Sequence, residues 1–126
     1  MDIHKIGQIG VPVKDIDRAT LFYKKTLELS HLFSSGSMAF FECGNSRILL
    51  SVPENEEYEY ASSVIYFQVK DIHQSYESLK EKHVYMLDKP HLVTKIGDTE
   101  TWMVFFKDSE GNTLALMSEC QVPIHS

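Results

Sequence analysis

The stretch Val13-Lys14-Asp15-Ile16 (VKDI) returns unchanged as Val69-Lys70-Asp71-Ile72. Each copy closes a segment rich in β-branched residues, KIGQIGVPV and SSVIYFQV, of the kind that forms strands. After each copy, apolar residues recur at every third or fourth position, which predicts a helix. Asp15 and Asp71 then lie at the helix starts, where a carboxylate accepts hydrogen bonds from unpaired backbone N–H groups. Each VKDI is therefore predicted to be a strand end, an N-cap and a helix start.

Three strand-like runs follow each predicted helix. They are HLFSS, MAFFEC and RILLSV after the first helix, and HLVTK, TWMVFF and TLALMS after the second. Turn-forming residues separate the runs, at Gly36, Gly44-Asn45, Gly97-Asp98 and Glu110-Gly111-Asn112. The order strand–helix–strand–strand–strand thus occurs twice, which indicates that one structural unit is used twice.

The two units are predicted to form one α+β domain over residues 1–126. Module one covers about residues 4–52 and module two about residues 63–120. The acidic segment 53–62 between them is predicted to be a linker, because runs of charged residues are usually solvated surface.

The composition is that of a compact soluble domain, with 43% hydrophobic and 24% charged residues. A formal net charge of −6 argues against nucleic acid as a partner, because nucleic-acid-binding proteins present a basic face. No apolar run approaches the roughly 18 residues needed to cross a bilayer, and no secretory leader is visible. A cytoplasmic location without a membrane partner is expected. Cys43 and Cys120 lack C-x-x-C spacing and are expected to be free thiols.

A duplicated βαβββ unit of this length resembles the vicinal oxygen chelate superfamily, which includes glyoxalase I, bleomycin-resistance proteins, fosfomycin-resistance enzymes and extradiol dioxygenases. Two segments strengthen the resemblance. VPVKDIDRATLFYKKTLEL carries the Phe22-Tyr23 pair of the family's first module, and FKDSEGNTLAL is similar to its Asp-Pro-x-Gly-Asn hairpin, with Ser109 replacing proline. The resemblance covers about residues 4–119. It implies a curved, mostly antiparallel half-barrel sheet with helices outside and a cavity between the modules.

In metal-dependent members of that superfamily, four side chains from the first and last strands of the two modules bind a divalent cation. By position, these ligand slots fall on Gln8, Leu49, Val64 and Ala115. Strand alternation independently places Leu49 and Ala115 opposite the apolar faces that should pack under the helices. Because aliphatic side chains offer no ligand atom, no metal or other cofactor is expected. A divalent metal held in part by Gln8 is the alternative.

The remaining cavity candidates are residues of suitable parity and chemistry. The expected ligand-binding set is Gln8, Arg47, Leu49, Val64, Tyr66, Gln68, Trp102, Ala115 and Met117. Arg47 could meet an anionic group bidentately, and Tyr66 shares strand parity with Val64 and Gln68. Trp102 and Tyr66, with Phe40 and Phe106, are candidates for an aromatic cleft.

Other catalytic chemistry is not visible. The histidines show no metal-binding spacing and are expected to be solvated, with His73 and His83 on the second helix; they are His4, His31, His73, His83, His91 and His125. No Ser-His-Asp, Cys-His or paired-carboxylate arrangement can be identified.

These observations favour a metal-independent protein that binds a small apolar or aromatic compound and forms a homodimer. Three alternatives stay open: a divergent metal-dependent lyase, isomerase or dioxygenase; an enzyme that uses other cavity residues; and an interaction module whose own side chains fill the cavity. Whether modules pair within one chain or between two chains also stays open.

Overall fold

The computed structural model describes residues 1–3, 5–53 and 63–122. The chain divides into two compact units, Met1–Ser62 (unit 1) and Ser63–Ser126 (unit 2). Except for Pro53, the predicted linker lies outside the described residues, as do His4 and His125. Each unit contains one sheet and one α-helix, so the fold is α+β, as the repeated pattern predicts.

Unit 1 contains β1 (Gln8–Pro12), α1 (Ile16–Leu21), β2 (Ser30–Ser35), β3 (Met38–Cys43) and β4 (Ser46–Ser51). Helix α1 continues directly as a π-helical segment, Phe22–Thr26. The strand order is β1-β4-β3-β2, with β1 parallel to β4 and the other pairs antiparallel. The β3–β4 turn falls at Gly44, as predicted. Gly44 adopts a φ of +58°, which lies in the left-handed region that favours glycine.

Unit 2 contains β5 (Ile65–Gln68), α2 (Ile72–Glu81), β6 (Tyr85–Met86), β7 (His91–Ile96), β8 (Thr99–Lys107) and β9 (Thr113–Gln121). The order is β5-β9-β8-β6, with β5 parallel to β9. Strands β6 and β7 both pair with β8, β6 near its end and β7 near its beginning. The two-residue β6 has no counterpart in the predicted pattern, and the other strands of unit 2 agree with it.

Both predicted N-caps are confirmed. Asp15 Oδ1 accepts a hydrogen bond from the backbone N–H of Arg18 at 3.0 Å, and Asp71 Oδ1 accepts one from Gln74 at 3.1 Å. The two VKDI copies therefore perform the same local task. Neither helix in the described residues is long and apolar enough to cross a membrane.

The prediction that His83 lies on the second helix is wrong. The helix ends at Glu81, and His83 adopts a φ of +62° just beyond it. The N–H of His83 donates to the carbonyl of Lys80, and the N–H of Val84 donates to the carbonyl of Leu79, both at 3.0 Å. This pair of bonds is a Schellman motif, which terminates a helix through one left-handed residue.

One face of each sheet packs under the helix of its unit and forms the core. A Met-x-Phe-Phe segment supplies the centre of both cores, because Phe41 in β3 and Phe106 in β8 are each 0% exposed. Strand side chains alternate, so the preceding phenylalanines, Phe40 and Phe105, lie on the opposite face. Other buried apolar core residues are Val11, Val13, Ala19, Tyr23, Ala39, Ile48 and Leu50 in unit 1, and Ile72, Leu79, Val104, Leu114 and Leu116 in unit 2.

Candidate functional site

We call the side of the unit 1 sheet opposite α1 face 1. Three rows of residues cross it in register: Gln8, Arg47 and Glu42; Gly10, Leu49 and Phe40; and Pro12, Ser51 and Met38. Leu49 is half-buried, whereas its neighbours in β4, Ile48 and Leu50, are 1% and 0% exposed. Gln8, Arg47 and Leu49 therefore share face 1.

Arg47 is held on face 1 by two neighbours. Its Nε and Nη2 atoms both donate to Oε1 of Gln8, at 3.2 and 2.9 Å. Its guanidinium carbon lies 5.4 Å from the centroid of the Phe40 ring, within cation–π range. The guanidinium thus has a defined orientation, although it is exposed.

Phe40 also stacks against an aromatic ring from β2. The ring centroids of Phe33 and Phe40 are 4.4 Å apart, with an interplanar angle of 23°. Phe33 is 51% exposed and Met38, two residues before Phe40, is 37% exposed. Face 1 therefore combines one cation with an accessible apolar surface.

We call the side of the unit 2 sheet opposite α2 face 2. Two rows cross it in register: Tyr66, Ala115 and Phe105; and Gln68, Met117, Met103 and His91. Val64 immediately precedes β5. Four sequence-predicted residues, Tyr66, Gln68, Ala115 and Met117, thus share this face.

Ala115 lies between two aromatic residues of face 2. It pairs with Tyr66 on one side and Phe105 on the other, and the two ring centroids are 6.0 Å apart. Ala115 is 0% exposed, whereas Tyr66 is 45% exposed. The position in β9 that the resemblance assigns to a metal ligand is therefore occupied by a small apolar side chain between two aromatic residues.

Sequence reasoning missed His91, which also lies on face 2. Its ring stacks on Phe105 at a centroid distance of 6.4 Å. Nδ1 lies 2.9 Å from the carbonyl oxygen of Lys89 and 3.6 Å from Oδ2 of Asp88. Because a carbonyl can only accept, Nδ1 is the donor, and in the neutral ring Nε2 keeps its lone pair. Asp88 is fixed in turn by the N–H of Phe105, which donates to Oδ1 at 2.8 Å.

Trp102 and Phe106 do not share face 2 with Tyr66. Both lie on the alternate positions of β8 that face α2, in register with Ser118 and Leu114. The Trp102 ring is 5.4 Å from the ring of His73 on α2. Tyr66 shares its face with Phe105, because both pair with Ala115, whereas Trp102 and Phe106 lie an odd number of positions from Phe105 along β8. Of the expected aromatic cleft of Trp102, Tyr66, Phe40 and Phe106, the unit 2 members therefore lie on opposite faces of one sheet.

The four positions that the resemblance assigns to metal ligands do not fit a divalent cation. In unit 1, only Gln8 offers an oxygen, and that oxygen already accepts two N–H groups from a positively charged guanidinium. Leu49, Val64 and Ala115 carry no ligand atom. Among the described residues, no cluster of three or more His, Cys, Asp or Glu side chains could hold a metal.

Cys43 does not add a reactive thiol to face 1. It lies at the end of β3, in register with Ser46, on the side of the sheet that carries Phe41. Partial burial raises the pKa of its thiol, so the sulfur stays protonated near neutral pH. A protonated thiol is a weak nucleophile, which argues against a catalytic role.

Comparison with known proteins assigns this architecture to a family. The family model described as Glyoxalase/Bleomycin resistance protein/Dioxygenase superfamily matches residues 5–116. No curated protein sequence matches the chain.

Solved structures of this fold align over nearly the whole chain. A lactoylglutathione lyase from Agrobacterium tumefaciens is 17% identical, covers 94% of this chain and 96% of its own, and has a TM-score of 0.75. A superfamily member from Sphaerobacter thermophilus DSM 20745 is 20% identical, with coverages of 92% and 98% and a TM-score of 0.76. A V. cholerae integron cassette protein is 21% identical, with coverages of 94% and 97% and a TM-score of 0.74. At these identities the likeness concerns the fold alone.

Proposed function

We propose that this chain, which belongs to the Glyoxalase/Bleomycin resistance protein/Dioxygenase superfamily, binds a small apolar or aromatic compound without a metal ion. The superfamily fold supports many activities, so the proposal must come from the residues on the two faces. It concerns binding, and requires no chemical step.

The observation that carries the proposal is the pairing of Arg47 with Gln8. The only oxygen among the four ligand positions accepts hydrogen bonds from both Nε and Nη2 of Arg47. A divalent cation at Gln8 would have to displace these bonds and lie beside a guanidinium of like charge. Face 1 thus already has a cation of its own where the resemblance implies a metal ligand.

Face 2 supports the apolar character of the ligand. Its central residues are Tyr66, Phe105, Ala115 and Met117, with Gln68 at one end. Small-molecule sites typically combine apolar and aromatic walls with few polar groups. An aromatic ligand would gain about 0.5–1.5 kcal/mol per stacked ring pair beyond the burial of its surface.

Two measurements on chelator-free protein test the proposal. Elemental analysis should find less than about 0.2 equivalents of Zn, Ni, Mn or Fe, as expected for a site with at most one ligand. A thermal-shift screen of aromatic metabolites and antibiotics should find stabilising compounds, because a ligand at 100 times its dissociation constant adds about 2.7 kcal/mol. Near-stoichiometric metal that disappears in a Gln8→Ala variant would contradict the proposal and favour a metal-dependent lyase, isomerase or dioxygenase.

A second candidate function, proton abstraction by an enzyme, is favoured by the tautomer of His91. With Nδ1–H donated to the Lys89 carbonyl, Nε2 can accept a proton from an acidic C–H of a bound carbonyl compound. The electron pair left on carbon would delocalise into the carbonyl of that compound. The test is hydrogen–deuterium exchange of phenylacetone in D2O, followed by NMR, for the wild type and His91→Gln. Exchange at the same rate in both proteins would reject this role.

We further propose that the protein is a homodimer. Large apolar side chains are also exposed along β7, namely Leu92, Val93 and Ile96, and such patches commonly mark interaction surfaces. Light scattering should give about twice the chain mass of 14.5 kDa. A mass near that of one chain at micromolar concentration would reject the dimer.

A further inference from the structure

We infer that Arg47 anchors the carboxylate of a planar aromatic acid, whose ring packs on the apolar surface formed by Phe33, Met38 and Leu49. This inference names the ligand class for face 1 and rests on the proposed binding function. It depends on three observations: the hydrogen-bonding edges of Arg47, the aromatic pair beside it, and the carboxylate next to it.

Gln8 leaves the terminal edge of the guanidinium available. An arginine has five N–H donors, and Gln8 Oε1 uses the Nε–H and one N–H of Nη2. Three N–H groups therefore remain, two on Nη1 and one on Nη2. One from each nitrogen forms the parallel fork that matches the two oxygens of a carboxylate.

Arg47 has no carboxylate partner within the part of the chain that the structure describes. Glu42 lies directly opposite it across the β3–β4 pair, yet the two side chains form no ion pair. Instead, the guanidinium turns toward Gln8 and the Phe40 ring. The nearby Glu42 charge favours a singly charged carboxylate over a doubly charged phosphate, because repulsion grows with ligand charge.

The aromatic part of the acid follows from the surface next to Arg47. The guanidinium carbon of Arg47 lies 5.4 Å from the centroid of the Phe40 ring, and the Phe40 ring stacks on Phe33 with their centroids 4.4 Å apart. About half of the Phe33 side chain is exposed. Leu49 pairs with Phe40 across β3 and β4, and Met38 lies two positions before Phe40 on the same face of β3. A flat ring attached to a carboxylate can cover this surface while its charge meets the guanidinium.

Three naphthalene probes with the same ring test the inference: naphthalene-2-carboxylate, naphthalene-2-carboxamide and naphthalen-2-ylmethylammonium. Kd values would be measured by NMR titration of 15N-labelled protein. The chain contains only two arginines, Arg18 and Arg47, so the Arg47 Nε–H signal can be assigned from its loss in Arg47→Met. We expect the wild type to bind the carboxylate about tenfold more tightly than the amide, with a shift of that signal.

Variants separate the role of the charge from that of the surface. Arg47→Met keeps an apolar stem and should reduce the carboxylate-to-amide ratio to about one. Gln8→Glu should do the same, because it places a competing carboxylate on the guanidinium. Lys80→Met is the matched control, since Lys80 Nζ lies 5.1 Å from the Tyr76 ring on α2 and its loss changes the net charge equally. This control should keep the wild-type ratio.

The outcomes distinguish this inference from the proposed function. Equal binding of carboxylate and amide by the wild type would overturn the role of Arg47 and leave small-molecule binding intact. A preference for the ammonium probe would overturn it as well. If no probe binds and Arg47→Met also halves the mass in light scattering, face 1 is an interface with a second copy and the inference fails. If no probe binds and the mass is unchanged, neither the inference nor aromatic binding on face 1 stands.

Discussion

Leu49 in β4 and Ala115 in β9 occupy equivalent positions in the two units but have different surroundings. Leu49 is half-buried and lies on the same strand face as the exposed Arg47. Ala115 is fully buried, in register between Tyr66 and Phe105. The two halves of a duplicated fold can therefore keep the same backbone position and change its chemistry independently.

The Met-x-Phe-Phe segments show how this divergence occurs. Met38–Phe41 and Met103–Phe106 occupy the same place in their units, and their last residues, Phe41 and Phe106, are both core. The preceding phenylalanines differ in their partners. Phe40 contacts a cation and a second phenylalanine, whereas Phe105 contacts Tyr66 and His91. The core phenylalanine is common to the two segments, and the difference between them lies in the contacts on the opposite face.

The largest expected effect is that of Ala115→Glu. A carboxylate at this buried position has no partner, and burying an unpaired charge costs several kcal/mol. We expect the free energy of unfolding to fall by about 3–5 kcal/mol, measured by urea denaturation. Any thermal shift caused by a ligand on face 2 should also disappear.

Leu49→Glu is the matched control for that substitution. It introduces the same carboxylate at the equivalent slot, but on a half-buried position of the strand that carries Arg47. The expected loss is below about 1 kcal/mol, because the charge keeps access to water and lies near a cation. If Ala115→Glu and Leu49→Glu lowered the free energy of unfolding equally, the two positions would not differ in burial as described.

The turns between the last two strands of each unit form a second contrast. In unit 2, Asp108 is buried and its carboxylate accepts the backbone N–H groups of Glu110 and Asn112, both at 2.8 Å. It also accepts a bond from Asn112 Nδ2 at 3.0 Å. In unit 1, the corresponding turn at Gly44 and Asn45 is exposed.

Asp108→Ala should therefore destabilise the protein by about 2–3 kcal/mol, because the buried N–H of Glu110 and the partly buried N–H of Asn112 lose a charged acceptor. The measurement is again urea denaturation. Asp108→Asn retains one acceptor oxygen and should cost less. Asn45→Ala should change the free energy of unfolding by less than about 0.5 kcal/mol, as is usual at exposed positions. A loss at Asn45 as large as that at Asp108 would contradict the contrast.

Local patterns in the sequence were sufficient to predict most of the fold. Strand alternation around Leu49 and Ala115 separates one face from the other using only neighbouring residues. The caps at Asp15 and Asp71 depend on backbone groups three residues away. Such features are determined within a few residues, and they agree with the structure. The two VKDI copies then marked the first strand and the helix of each unit, and the strand-like runs after each helix indicated the remaining order of elements.

The contacts on the two faces could not be predicted in the same way, because they depend on strand register. Gln8 and Arg47 are 39 positions apart, and they meet because β1 pairs with β4 in a parallel arrangement. His91 reaches Phe105 through the pairing of β7 with β8. The similarity of MAFFEC to MVFFKD was a signal that could have added Phe105 to the candidates.

The smallest expected effects concern the two N-caps, which test whether the units remain equivalent where their sequences are identical. Asp15→Ala and Asp71→Ala each remove one side-chain bond to an N–H of the first helical turn, at 3.0 and 3.1 Å. Each should lower the free energy of unfolding by about 1 kcal/mol. Asp15→Asn and Asp71→Asn keep an acceptor and should cost no more than a few tenths of that amount. If Asp15→Ala lowered the free energy of unfolding more than twice as much as Asp71→Ala, the two N-caps would not contribute equally to stability.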